Sequence, residues 1–337
     1  MDNEQRKLKK GLLFGVLVGI AWGLDGTLMG RTGLNELFQN EAYALSTGVS
    51  SLSFSYSPLV TAFFHESFCF IWVALVLIFR KQLKQVFYLL FHTKKGRAAA
   101  LAALIGSPIG MSAYQLGIRF AGPAYASSIS VIYPGVGALI SYLVLKEKLS
   151  KKAVLGIAIS LLGSFMLGFN PSGNVPETFM TGVMFSGLAV LGWALEGVII
   201  GFAMKHIEGE DDVEASPQQL LCLRYFIAMV TYAVVVLPLI KGYPMAGEII
   251  KSGLVFNYAG IAVLGAITYL SWYKAVDLIG SAMGTALNST AALWTIIFSA
   301  VLFQGAVTPS LVLWGIVIVI GVFIFAMSPP PLQKEAE

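Results

Sequence analysis

The sequence predicts an all-α membrane protein of ten transmembrane helices, arranged as two inverted five-helix repeats. Three observations carry that prediction: the composition, the spacing of the apolar stretches, and a short motif that recurs in each half. Hydrophobic residues make up 57% of the chain and charged residues 12%, with a mean hydropathy of +0.78. A soluble domain of this length needs about twice that charge on its surface, so the apolar surface is expected to face lipid.

Stretches close to the ~20 residues that cross a hydrocarbon core follow one another with short connections. Spans are expected at 11–30, 58–79, 98–118, 123–145, 153–169, 179–204, 218–240, 254–276, 281–303 and 309–327. The start MDNEQRKLKK resembles a signal peptide's charged region, but the apolar run that follows has no A-x-A-like site and is read as the first span. Lysines and arginines fix the direction. With the N-terminus inside, seventeen fall on the cytoplasmic side, against Arg31, Arg119, Lys241 and Lys251 on the other. That asymmetry predicts a multi-pass cell-membrane protein with both termini cytoplasmic. Cys69 and Cys222 sit in apolar stretches as small hydrophobes, which implies neither a disulfide nor a thiolate metal site. The acidic run Glu208 to Glu214 reads as a solvated cytoplasmic loop. Residues 31–57 form a long outer connection, either a mobile lid or an ordinary insertion.

The recurring motif is AWGLDG at Ala21 to Gly26, which aligns with GWALEG at Gly192 to Gly197: a Trp, an acid three residues later, then Gly. A second register pairs Gly117 to Ser128 with Ala275 to Ala286. The first repeat is therefore placed at 1–170, the second at 179–327, and a cytoplasmic tail at 328–337. Each half has an odd number of helices, so the second half is expected upside down about an axis in the membrane plane. Two nearly equivalent packings then exist, one open to each side, which is the physical basis of alternating access. Gly11, Gly15, Gly19 and Gly23, spaced by four, predict close approach of another helix to the first. Gly106, Pro108, Gly110, Pro134, Gly135 and Gly137 mark either hinges or tight packing in the third and fourth helices.

Trp22 lies roughly 17 Å into the first helix, just past half of the ~30 Å core, and Trp193 reaches a similar depth from the other side. Asp25 and Glu196 follow their tryptophans by three, which puts ring and carboxylate on one helix face. An acid in a spanning segment costs about 2.5–3.5 kcal/mol on insertion scales, so it faces a wet cavity, an ion pair or a substrate. For Glu196 the alternative is a protonated acid hydrogen-bonded to a neighbouring helix. His65, Glu66 and Arg224 are the other intramembrane polar groups, with Glu66 and Arg224 read as either a structural pair or part of the transport machinery. Tyr114, Tyr133, Tyr269, Trp272, Tyr273 and Trp294 lie near the same depth. Aromatic faces with one or two carboxylates suit an organic cation, each ring contributing ~0.5–2 kcal/mol. An anionic cargo is disfavoured, because Lys274 is the only lysine nearby.

Enzyme, nucleotide and metal chemistry find no motif. Ser112 in GMSAYQLG lacks the flanks of a nucleophile elbow, and no glycine run forms a phosphate-binding loop. The three histidines lack ligand spacing, so no metal or other cofactor is expected, and nothing points to nucleic acid. A channel needs a continuous polar path, which these sparse polar groups do not supply.

AWG at Ala21 to Gly23 and LVLKEKLSKKAVLGI at Leu143 to Ile157 resemble the ten-span drug/metabolite transporter superfamily, whose halves are EamA domains. The second half departs from that pattern, since VLFQGAVTPS at Val301 to Ser310 lacks the acid and base of the turn. SPIGM at Ser107, ASSISVIYP at Ala126, Trp193 with Glu196, and ALW before Thr295 with Asn288 upstream resemble the LicB-type choline permeases. The resemblance implies an importer of choline or a similar quaternary amine, with Trp22, Tyr133, Trp193, Glu196, Tyr269, Tyr273 and Trp294 as pocket residues. Asp25 is added on its own chemistry; it and Tyr114 do not match that pattern, and the 31–57 connection is extra. An exporter of hydrophobic amines or metabolites fits the same aromatic cavity. Whether a proton moves too, on Glu196, is left open by the residues.

Overall fold

The computed structural model describes residues 3–144, 149–169, 176–206, 215–303 and 307–328. The KEK-containing turn at 145–148, the acidic run at 208–214, residues 304–306 of the second-half turn and the tail from 329 lie outside the described residues. The described residues form helices and no strand. They are α1 (Asn3–Thr32), the short α2 (Glu36–Gln39), α3 (Glu41–Ser46) and α4 (Ser51–Ser55), then α5 (Ser57–Phe79), α6 (Leu83–His92), α7 (Lys94–Ala121), α8 (Pro123–Val144) and α9 (Lys151–Phe169). The second half holds α10 (Phe179–His206), α11 (Pro217–Leu239), α12 (Tyr243–Lys251), α13 (Leu254–Ser289), α14 (Ala291–Phe303) and α15 (Pro309–Ala326). Eight helical stretches are long and apolar enough to cross a membrane: α1, α5, α7, α8, α10, α11, Leu254–Val276 of α13, and α15. The other two expected spans correspond to α9 and to the shorter apolar stretch Leu287–Leu302.

Helix α13 is helical in hydrogen bonding throughout but does not run straight. Eight residues along a straight helix rise about 12 Å, yet a Cβ on Gly284 would lie 3.4 Å from the Val276 nitrogen. The chain doubles back there, close to where the sequence predicts a turn.

Prolines explain the irregular turns. Pro108 sits inside the π-helical segment Ile105–Met111 of α7, and Pro238 follows the π-helical segment Tyr232–Val236 of α11. A proline ring displaces the carbonyl four residues back and offers no N–H, and a widened turn absorbs both defects. In α8 the helix is interrupted at Val131 and Ile132, just before Tyr133 and Pro134.

The glycine stripe of α1 does what its spacing predicts. A Cβ at Gly11 would strike Ile279, at Gly15 Leu287, at Gly19 Thr290 and at Gly23 Trp294, so α1 lies directly along the returning part of α13 and along α14. Helices α9 and α15 meet in the same way through Gly156 and Gly321.

The 31–57 connection is a packed cap. Asn35, Asn40 and Ser50 side chains cap α2, α3 and α4, and Leu37, Phe38, Ala44 and Val49 are buried in a core that continues down to Tyr114 and Trp193. Arg119 of α7 pins it by donating to the Phe38 carbonyl at 3.0 Å and to the Ser57 hydroxyl at 3.2 Å, with its guanidinium 5.5 Å over the Phe54 ring.

Candidate functional site

The two tryptophans converge as their matching depths predict. Trp22 and Trp193 meet edge to face at 5.8 Å between centroids, Tyr133 lies 6.5 Å from Trp22 and 5.9 Å from Trp193, and Tyr114 closes the group 5.2 Å from Trp193. These rings border a cavity of about 470 Å³, lined further by Tyr269, Trp272, Tyr273 and Asn288. It runs on past Ile200, Leu220 and Pro217, toward the end of α10 and the start of α11.

A chain of ionisable side chains forms one wall. Asp25 of α1 lies 2.9 Å from Nε2 of His65 on α5. The other imidazole nitrogen is 3.7 Å from Glu66, and Glu66 accepts from Nη1 of Arg224 on α11 at 3.1 Å. Arg224 Nε donates to Glu196 of α10 at 2.8 Å. All five are buried, from 2% exposed for Glu66 to 7% for Glu196 and Arg224. Three carboxyl groups thus face one guanidinium and one imidazole. The guanidinium also lies 5.3 Å over Tyr225 and 5.6 Å over Tyr269.

Local backbone makes this arrangement possible. The Ser107 hydroxyl donates to Glu66, and Tyr232 donates to the Ser107 carbonyl at 3.2 Å while meeting the Ser112 hydroxyl at 2.7 Å. Both ends of that link come from the π-helical segments of α7 and α11. A Cβ at Gly106 would occupy the place of the Glu196 carboxylate, so any larger residue there makes the acid shift from its position on Arg224.

Seven of the eight expected pocket residues share this cavity: Trp22, Asp25, Tyr133, Trp193, Glu196, Tyr269 and Tyr273. Trp294 does not line it. It packs against Gly19 and Gly23 of α1 and stacks on Phe298 at 6.0 Å. Glu196 and Glu66 also prove inseparable, both held by Arg224. The sequence reading did not join His65 to Asp25. The signal was present, because each Trp-x-x-acid helix is followed by a helix carrying one base eight or nine residues in, His65 on α5 and Arg224 on α11. Among the described residues no group of three His, Cys, Asp or Glu is placed to hold a metal ion.

Known proteins resemble this chain over nearly its whole length. Residues 9–169 and 180–327 match the EamA-like transporter family. Protein LicB of Haemophilus influenzae is 30% identical over 323 residues, covering 94% of this chain and 97% of that protein. A crystal structure of another protein aligns over 94% of this chain and 96% of its own, at 15% identity and a TM-score of 0.48.

Proposed function

The chain belongs to the EamA-like transporter family, and on that premise we propose that it imports a small organic cation, choline first, by alternating access between two inverted halves. The observation that carries this reading is the cage of Trp22, Tyr133 and Trp193 beside a buried cluster of three carboxyl groups, one guanidinium and one imidazole. Rings at this depth attract a quaternary ammonium by ~0.5–2 kcal/mol each, and the likeness to LicB supports choline among such cations.

Ten spans in two inverted repeats are supported by an exchange of contacts. Helix α1 packs on α14 as α10 packs on α8, and α5 packs on α13 as α11 packs on α7. The pairs α5 with α11 and α9 with α15 map onto themselves. Lys81 and Lys241, the non-glycine residues with positive φ (58° and 53°) among the described residues, each lie two residues beyond the end of α5 and α11 respectively. Gly265 of α13 approaches Asp25 as Gly106 of α7 approaches Glu196.

With both termini cytoplasmic, the cavity extends inward past Ile200 and Leu220 while the 31–57 cap covers the outer side. A univalent cation moving inward gains ~2.3 kcal/mol per 100 mV, and ~1.4 kcal/mol is tenfold. The potential alone thus sustains a gradient of roughly fifty-fold. The test is uptake of radiolabelled choline into proteoliposomes under an inside-negative potential. Potential-driven accumulation is the expected result. Absence of both binding and uptake for choline and related amines overturns the reading, and net outward flux in cells replaces it with an amine exporter.

A further inference from the structure

The cavity wall carries polar atoms that the protein itself leaves without partners. Asn288 is 6% exposed, lines the cavity, and its Oδ1 has no hydrogen-bond partner. A buried acceptor without a partner is unfavourable, which marks such an atom as suited to a donor on a ligand. The amide N–H side of Asn288 serves the hydroxyl of Tyr133, a wall of the aromatic cage, and Oδ1 is the atom left over. A cation resting against Tyr133 therefore has its substituent within reach of this amide. A quaternary ammonium has no N–H, so the donor has to be another group on the same molecule.

We infer that Asn288 selects the cargo's tail: it accepts a hydrogen bond from a hydroxyl carried a short chain away from the quaternary nitrogen. This deepens the organic-cation reading and rests on it. A hydroxyl donates to Oδ1, a methyl group leaves Oδ1 unpaired, and a carboxylate sets acceptor against acceptor. The carboxylate also meets three further carboxyl groups, Asp25, Glu66 and Glu196, in the same wall. The site thus ranks quaternary amines by their tails, with choline above tetramethylammonium and betaine last. An isosteric apolar side chain at 288 abolishes the first step of that ranking and keeps the cage.

Isothermal titration of the purified, monodisperse protein with choline, tetramethylammonium and betaine tests it. Wild type is expected to bind choline about five- to tenfold tighter than tetramethylammonium, the worth of one hydrogen bond. Asn288→Leu is expected to bind both equally, with tetramethylammonium affinity unchanged and so serving as the folding control. If the leucine variant binds neither, Asn288→Ala decides by the same comparison. A choline preference that survives at position 288, or a wild type with no preference, overturns this inference and leaves the organic-cation reading standing. A wild type that binds none of the three overturns both.

Discussion

The two Trp-x-x-acid helices solve one electrostatic problem with different bases. In the first half Asp25 meets His65, and in the second Glu196 meets Arg224, which also holds Glu66. An arginine guanidinium is a planar fork that can serve two acids at once, whereas an imidazole offers one nitrogen to each partner. The second-half pair is therefore a fixed brace across α5, α10 and α11. The first-half pair joins only α1 and α5, next to the same aromatic cage. Two helices of one Trp-x-x-acid pattern thus differ in the base that faces the acid and in how many helices that base ties together.

Removing the brace is expected to have the largest effect. Arg224→Gln strands Glu66 and Glu196 in the membrane interior, and breaking a buried pair costs about 3–5 kcal/mol. Thermal unfolding in detergent should show a large drop or no monodisperse protein. A stable, active Arg224→Gln would show that the second-half pair is no brace. Gly106→Ala tests the same side from the backbone: its Cβ enters the Glu196 carboxylate site, and overpacking of this kind costs about 1–3 kcal/mol. Gly265→Ala, the counterpart beside Asp25, meets Cys69 Sγ at 2.8 Å and the carboxylate only at 3.3 Å, and should be milder in the same melting assay. Equal losses would erase the asymmetry.

Glu196→Gln keeps Glu66 on Arg224 but lowers the negative charge of the wall. Choline affinity should fall about tenfold, or ~1.4 kcal/mol, by isothermal titration, and unchanged affinity would leave Glu196 a purely structural acid. The smallest effect on stability is expected for His65→Gln, which preserves a hydrogen bond to Asp25 and should stay within about 1 kcal/mol of wild type. Its effect belongs in the pH profile of uptake: His65 faces Asp25, Glu66 and Cys69, and replacing it should flatten the profile. A profile that is unaltered would assign any proton elsewhere.

Much of this was readable from residue spacing. The Trp22 and Trp193 convergence followed from depth and direction, and the α1 glycine stripe followed from a period of four. Partnerships across helices were not readable, because nothing in the order of residues says that Arg224 reaches both Glu66 and Glu196. Trp294 was misplaced for a related reason: depth in the membrane does not reveal which way a helix face turns, and this ring turns to the α1 glycines. The cap could not be told from a loose insertion, since its order depends on side-chain caps and on Arg119, which lies in another helix.

The sharing of one guanidinium between two carboxylates has a consequence for descent. A lineage that loses Arg224 first is left with two orphaned acids, and a lineage that loses one acid still has the other to neutralise the arginine. Substitution in this network therefore has a permitted order, with an acid yielding before the arginine does. A relative that carries an apolar residue at the position of Arg224 is expected to have already replaced Glu66, Glu196 or both, and one that keeps both acids without any base nearby would contradict the sharing seen here.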